Sequence, residues 1–130
     1  MGQPAAKQGD MVTATDTHIV LVPSPGGPVP TPMPFPFAGK ITNGCSTTVF
    51  IEGMPAAVVG SEAVNLPPHI PQSGSFANQP DNKGMIVAGS PTVSFDGKPA
   101  ARNNDKVMTC NDPAPLPIGM IEAFGTVEIG

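Results

Sequence analysis

The chain has 130 residues, of which 39% are hydrophobic and 12% charged, and its formal net charge at pH 7 is −4. This length suits one domain, and moderate hydrophobicity with low net charge argues against a disordered chain. With only six basic residues and no Trp or Tyr, the sequence lacks the clustered positive charge of a phosphate-binding surface, which excludes nucleic acid as a partner.

Glycine and proline are spread along the whole chain, with 15 Gly and 18 Pro and no window of 18 residues free of both. Because both residues interrupt helices, this spacing excludes a transmembrane helix, hence stable membrane insertion, and disfavours a long soluble one. We therefore expect a single all-β domain over residues 1–130. The first residues contain no apolar run, so we expect no Sec-type signal peptide, and export would need a dedicated machine.

The chain opens with half of a repeated unit. Residues 2–10 read Gly-Gln-Pro-Ala-Ala-Lys-Gln-Gly-Asp, and the Pro-Ala-Ala run returns twice further on. Asp10 closes this unit, as Asp105 closes a later one, and either carboxylate could accept hydrogen bonds within a turn. The middle copy has Ser61 at that position, so the aspartate does not recur in every copy of the repeat.

Residues 23–39 form the first of two inserts between the repeats and are rich in proline. Such spacing favours extended, polyproline-like backbone. A proline-rich stretch of this kind is commonly a flexible linker. Met33, Phe35 and Phe37 occupy every second position, however, and would give the segment one apolar face. We therefore expect it to pack flat on the domain.

The complete repeats are residues 48–57, Thr-Val-Phe-Ile-Glu-Gly-Met-Pro-Ala-Ala, and residues 92–101, Thr-Val-Ser-Phe-Asp-Gly-Lys-Pro-Ala-Ala. The β-branched, alternating start of each unit predicts a half-buried strand, and its glycine predicts a turn. The second insert, residues 65–84, separates the two copies and reads as a loop of Pro, Asn, Gln and Ser. Apolar strand positions that recur in the copies are candidates for the core or for a docking base: Val49, Ile51, Val93, Phe95, Val127 and Ile129.

The chain ends on the first half of the unit, because residues 126–130 read Thr-Val-Glu-Ile-Gly. One repeat has thus been cut, and its halves lie at the two termini. Three copies related by rotation would bring the termini together, rejoin the cut copy and close the sheet edges. We therefore predict a short, three-sided β cone or prism with pseudo-threefold hairpin repeats.

Four residues of this chain carry His or Cys side chains, and three of them fall at related positions in the repeats. His18 and His69 each lie twelve positions after the Ala-Ala pair of their copy, and Cys110 lies nine positions after its own. The pseudo-threefold axis would bring the three together, and imidazole with thiolate suits tetrahedral zinc. Cys45 could be the fourth ligand.

Other interpretations of these residues stay open. Water, Asp16 or Asp112 could take the fourth position, and Cys45 could be a small buried residue. A disulfide between Cys45 and Cys110 is a further alternative. A metal would suit a tapered fold, because such a fold buries few side chains near its tip and needs a cross-link there.

The repeated motif resembles the PAAR-repeat family. Residues 99–102 spell Pro-Ala-Ala-Arg, residues 4–7 and 55–58 are degenerate copies, and residues 23–30 look like the insert of PAAR-like proteins from contractile injection systems. The resemblance implies a spike-tip protein of a type VI secretion system, a phage tail or a related extracellular particle, and it covers nearly the whole chain.

Fold, partners and location follow from this resemblance as expectations. It implies a cone of β-hairpins with a structural metal near the tip, zinc or alternatively iron, held by His and Cys. It also implies one tip per trimeric VgrG-like spike, effector cargo as a second partner, and assembly at the baseplate in the cytoplasm before secretion with the particle.

Two other functions compete with the spike tip. The first is a free-standing metal-binding β module, and the second is a small zinc hydrolase. The sequence has no HExxH, no GxSxG and no phosphate-binding loop with Lys-Ser or Lys-Thr, so we expect no enzyme.

Overall fold

The computed structural model describes residues 2–130, and within this range the regular structure is all strand, as the sequence predicts. No helix in this range is long and apolar enough to cross a membrane. The strands, in chain order, are β1 (Gln3–Pro4), β2 (Met11–Val22), β3 (Val29–Asn43), β4 (Phe50–Ile51), β5 (Met54–Pro55), β6 (Glu62–Asn65), β7 (Ser75–Phe76), β8 (Lys83–Ile86), β9 (Ser94–Phe95), β10 (Lys98–Pro99), β11 (Lys106–Thr109), β12 (Leu116–Glu122) and β13 (Glu128–Ile129).

Six of the strands close into a barrel. They follow the order β2-β3-β6-β8-β11-β12, all neighbours are antiparallel, and β12 returns to pair with β2. At this closing edge Ile121 faces Val12. One pair of neighbouring barrel strands follows each Pro-Ala-Ala run in the chain, and the short strand β7 pairs with β2 outside the ring. Closure leaves the ring without a free edge of its own.

Three small hairpins at one end of the barrel repeat the same register. Phe50 pairs with Pro55 in β4–β5, and Ser94 pairs with Pro99 in β9–β10. The third hairpin joins the two chain ends, because Pro4 of β1 pairs with Glu128 of β13. The predicted cut repeat is thus rejoined in space, and the predicted pseudo-threefold arrangement is confirmed.

The second alanine of each Pro-Ala-Ala run lies at the pseudo-threefold axis. The backbone N–H of Ala6 donates to Ala101 at 2.9 Å, that of Ala101 donates to Ala57 at 3.0 Å, and that of Ala57 donates back to Ala6 at 3.0 Å. All three side chains are completely buried. A closed ring of three backbone hydrogen bonds leaves room for a methyl group and little more, which explains the alanine at this position in every copy.

The turn that follows each alanine pair is fastened by one side chain. A carboxylate oxygen of Asp10 accepts from the Lys7 backbone N–H at 3.0 Å, and Asp105 accepts from the Arg102 N–H at 2.7 Å. In the middle copy the hydroxyl oxygen of Ser61 does the same for Val58 at 3.0 Å. The predicted turn acceptors are confirmed, and serine preserves the bond where the aspartate is absent.

Two apolar clusters lie on either side of the alanine ring. The smaller cluster belongs to the hairpins and centres on Ala5, Ile51 and Ala56, with Val49, Phe95 and Ile129 packed against it. The larger cluster fills the barrel and includes the following buried side chains: Val12, Phe37, Ile41, Ala63, Ile86, Val107 and Ile121. The order along the axis is therefore hairpins, alanine ring and barrel core.

The first insert, residues 23–39, was predicted to be extended and packed flat on the domain, and most of it is strand. Residues 29–39 belong to β3, which pairs with β2 from Val22–Val29 to Met11–Lys40, so only residues 23–28 form the connecting turn. Phe35 and Phe37 are buried, as the apolar face predicts. The second insert, residues 65–84, is mainly loop, but it also contains β7 and the start of β8.

Proline alternates along β3 because its nitrogen lies on the outer edge. Opposite Pro34 and Pro32 are Thr17 and Ile19, whose N–H groups donate to the side chains of Asn111 and Asp112, away from β3. The prolines therefore occupy positions that do not hydrogen-bond to β2, and their nitrogens point outward. Without N–H donors, this long outer edge resists pairing with another strand.

A double substitution of Pro30→Val and Pro32→Val is expected to increase self-association. It restores two outward N–H groups on an exposed edge and permits strand pairing between copies. Sedimentation velocity over a range of concentrations would reveal the dimer. The control is Thr31→Val, which changes a side chain but no donor on that edge; equal association of the double variant and the natural chain would contradict this account of the prolines.

Candidate metal centre

Four buried side chains converge inside the barrel beyond its apolar core. Asp16, His18, His69 and Cys110 each offer one ligand atom, and these atoms all lie within 4.8 Å of one another. Asp16 is four residues further along β2 than the core residue Val12, a rise of about 13 Å. The group therefore lies on the side of the core away from the hairpins.

The barrel positions these residues by simple strand geometry. Asp16 and His18 are two apart on β2 and so point to the same face of the strand. Cys110 directly follows β11, and His69 lies in the loop after β6. The three residues predicted from the repeat offsets are thus brought together. Their role as metal ligands stays a prediction.

Asp16 is the most densely hydrogen-bonded member of the group. Its Oδ1 accepts from the hydroxyl of Thr109 at 2.5 Å, and Asn111 Nδ2 lies 3.5 Å from the same oxygen. Its Oδ2 lies 2.9 Å from His69 Nε2 and 3.4 Å from Cys110 Sγ. The carboxylate is completely buried, so these donors replace the water that it would otherwise need.

His18 lacks the partners that its neighbours have. The side chain is 1% exposed, and neither ring nitrogen has a hydrogen bond among the described residues. Phe35 and Phe76 pack at ring-centroid distances of 5.7 Å, and the ring of His69 lies 5.1 Å away. Burial lowers the pKa of His18, although the nearby carboxylate of Asp112 acts in the opposite direction and raises it. A buried imidazole without a hydrogen-bond partner costs free energy, and the unpaired nitrogen of the neutral ring could bind a metal ion.

Cys110 is held as a neutral thiol when no metal is present. Burial first, and then the carboxylate of Asp16, raise the pKa of Cys110 to about 12. A metal ion held by Cys110 would reverse this preference, because its positive charge would favour the coordinating thiolate. The low reactivity expected of such a thiol argues against a nucleophilic role.

The donor set fits a small divalent metal ion. Imidazole, thiolate and carboxylate groups all bind zinc, and neither ring nitrogen of His18 has a hydrogen-bond partner among the described residues. Tetrahedral zinc with bonds of about 2.0–2.3 Å separates neighbouring ligand atoms by roughly 3.3–3.8 Å. A group within 4.8 Å needs only a small contraction to reach that spacing.

The prediction of Cys45 as a fourth ligand is corrected, because Cys45 is not a member of the converging group. It is half-buried against the barrel core, beside Ser61. The structure places Asp16 there instead, one of the alternatives that the sequence left open. Both cysteines are free thiols, so the disulfide alternative is wrong. Asp112 lies at the edge, with Oδ2 3.7 Å from His18 Nδ1.

Two surface pockets adjoin the buried group, one at His69 and one at Cys110. A cleft of about 630 Å³ is lined by His69 and Asn65 together with proline and apolar residues of β3 and of the loop 66–72. A smaller pocket of about 180 Å³ lies beside Cys110 and includes the carboxylates of Glu62 and Asp81. An ion would thus have short routes to the site.

Sequence reasoning missed the residues that support these four. Thr109 and Asn111 flank Cys110 and hold Asp16, while Asn65 contacts His69. Asp16 carried one usable signal, its spacing of two from His18 on a strand. Nothing in the sequence pattern singled out Asn65, because its role depends on which side chains the fold brings against it.

The sequence model of the family described as PAAR motif matches residues 77–130 of this chain. The matched part contains the complete repeat at residues 92–101, the half of the cut repeat at residues 126–130, and Cys110. No curated protein matches the chain.

Proposed function

We propose that this PAAR-repeat protein caps the spike of a contractile injection system, with its hairpin end on a trimeric VgrG-like spike and a metal ion near the opposite end. The observation that carries the proposal is the pseudo-threefold arrangement of one chain: three hairpins in the same register around the alanine ring. A single chain with this symmetry can present equivalent contacts to each of three spike subunits.

The hairpin end offers the apolar surface that such docking needs. Phe95 and Ile129 are half-buried at equivalent positions, Phe50 is 59% exposed and Val127 is 40% exposed. Apolar side chains that remain exposed on a folded domain commonly mark a site of association. This end also holds both chain ends, so the rejoined hairpin would be part of the contact.

A metal at the opposite end would act as a cross-link. His18, His69, Cys110 and Asp16 come from three different parts of the chain, and zinc bound to all four would tie β2, the loop after β6 and the end of β11 together. A structural metal contributes its binding free energy to folding. Such a cross-link suits a part that must keep its shape while the sheath drives it through a membrane.

The proposed function also implies where the protein assembles and how it leaves the cell. The chain would assemble on the spike at the baseplate in the cytoplasm and leave the cell with the injected particle. The side chains of this protein would withstand mechanical load rather than catalyse a reaction. Effector cargo would travel with the protein and would not be its substrate.

A single substitution on the hairpins should separate docking from folding. Phe95→Glu is expected to weaken binding to a trimeric β-helical spike at least tenfold, because it buries a charge in an apolar contact. The matched control is Leu116→Glu on the barrel strand β12, where Leu116 is 45% exposed and lies away from the hairpins. Biolayer interferometry with immobilised spike gives both affinities, and thermal unfolding shows that each variant folds.

Equal binding by the two variants would contradict docking through the hairpins. Failure of the natural chain to bind any spike, together with normal metal binding, would favour the free-standing metal-binding module.

A further inference from the structure

The side-chain amide of Asn65 lies against the ring nitrogen of His69 that faces away from Asp16. Asn65 Nδ2 and His69 Nδ1 are 3.2 Å apart, and both residues are buried. Whether this nitrogen of the ring accepts or donates a hydrogen bond depends on which end of the amide faces it. The surrounding backbone settles that orientation.

Asn82 is oriented by two backbone groups. Its Oδ1 accepts from the backbone N–H of His69 at 2.8 Å, and its Nδ2 donates to the carbonyl of Pro80 at 3.3 Å. The oxygen of Asn82 therefore faces Asn65, and only the Nδ2 group of Asn65 can donate to it, at 3.0 Å.

Asn65 is oriented independently by the backbone of β3. Its Oδ1 accepts from the N–H of Ala38 at 2.8 Å, so a flipped amide would set two donors against each other at Ala38 and two acceptors against each other at Asn82. The Nδ2 group must then face His69. Nδ1 of His69 accepts this hydrogen bond, and its neutral ring carries the proton on Nε2, which donates to Asp16 Oδ2 at 2.9 Å.

We propose that Asn65 is a positioning residue that holds His69 as a hydrogen-bond donor to Asp16 and thereby lowers the metal affinity of the site. This inference rests on the proposed metal site. A histidine that binds a metal through one nitrogen normally donates its other N–H to an acceptor. If His69 held a metal ion through Nε2, its neutral ring would carry the proton on Nδ1, and that N–H would face the N–H of Asn65.

Metal binding must therefore displace the Asn65 amide. The cleft of about 630 Å³ gives it room, because both Asn65 and His69 line that cleft. Displacement sacrifices the hydrogen bonds to Ala38 and Asn82, and this cost appears as weaker binding. In the metal-free state the same bonds satisfy His69 and Asp16, and within residues 2–130 His18 is the member of the group without a hydrogen-bond partner.

The tautomer of His69 can be measured on the natural chain. Nitrogen-15 NMR of the metal-free protein is expected to show His69 protonated at Nε2 and unprotonated at Nδ1. Protonation at Nδ1 instead would overturn the proposal. This readout needs no variant and no metal, so it stands apart from the test of the metal site itself.

The second test replaces the donor with an acceptor. Asn65→Asp can accept from a protonated Nδ1 and is expected to tighten zinc binding about tenfold, the lower end of what outer partners of metal ligands contribute. Asn43→Asp, at an exposed position at the end of β3, is the control for added negative charge. Competition with a chromogenic chelator gives the affinities.

Zinc affinity of Asn65→Asp equal to or below that of the natural chain would overturn the effect on affinity. Absence of zinc binding by the natural chain would instead refute the metal site of the proposed function, and the tautomer measurement would still decide how Asn65 orients His69.

Discussion

Addition of zinc to the metal-free protein is expected to raise its unfolding temperature by about 10–20 °C. A ligand that binds only the folded state stabilises it by about 4 kcal/mol when its free concentration is a thousandfold above Kd, and a domain of this size gains a few degrees for each kcal/mol. His18→Ala and Cys110→Ser should each abolish most of this gain, because each removes a ligand. Differential scanning fluorimetry with and without zinc measures the shift.

Cys45→Ser is the matched control for these variants. It removes the other free thiol of the chain, which lies outside the candidate site, and should leave the zinc-dependent shift unchanged. An unchanged shift in His18→Ala and Cys110→Ser would place the metal elsewhere and remove the proposed cross-link. A loss of the shift in Cys45→Ser would restore Cys45 as a ligand.

Substitution of Ala57 by Leu is expected to destabilise the fold by about 1–3 kcal/mol or more, the usual cost of forcing extra carbons into a packed interior. Ala57 is completely buried and belongs to the ring of three backbone hydrogen bonds at the axis. Ala6→Leu and Ala101→Leu should cost similar amounts, because the three positions are equivalent. Urea unfolding gives the free energies.

Ala77→Leu serves as the control in this series. Ala77 is exposed, although its backbone N–H is bonded to Ile19, so the larger side chain should cost little. Tolerance of leucine at one of the three ring positions, with unfolding at the other two, would show that the axis is not the shared constraint that the symmetry implies.

The repeat pattern predicted the architecture well because it encodes register. The matched glycine, proline and alanine columns fixed where each hairpin turns and where the alanine pair lies, and the pairing of Gln3 with Ile129 follows from the cut repeat. Repetition within one chain supplied the long-range information that a single sequence normally lacks.

The proline-rich segment was predicted to be extended and packed on the domain, but its pairing as a strand was not predicted. Proline weakens a strand only where an N–H donor is needed. In β3 each alternate residue points its nitrogen outward, so Pro32 and Pro34 lose nothing by lacking an N–H. Recognising this strand would have required knowing that β2 pairs along its entire length, which neither segment shows by itself.

The candidate site was predicted in its outline and missed in its detail. The repeat offsets, twelve for His18 and His69 and nine for Cys110, predicted that these three side chains meet. The convergence of Asp16 rather than Cys45 on them depends on the direction in which each side chain points. The hydrogen bonds of Asn65 and Asn82 depend on a loop whose course no periodic pattern encodes.

Native mass spectrometry of the chain mixed with its trimeric β-helical spike tests the central claim most directly. A single-chain cap with pseudo-threefold symmetry predicts one copy of this chain for each spike trimer, with one zinc ion retained in the complex. Three copies for each trimer, or no complex at all, would contradict it.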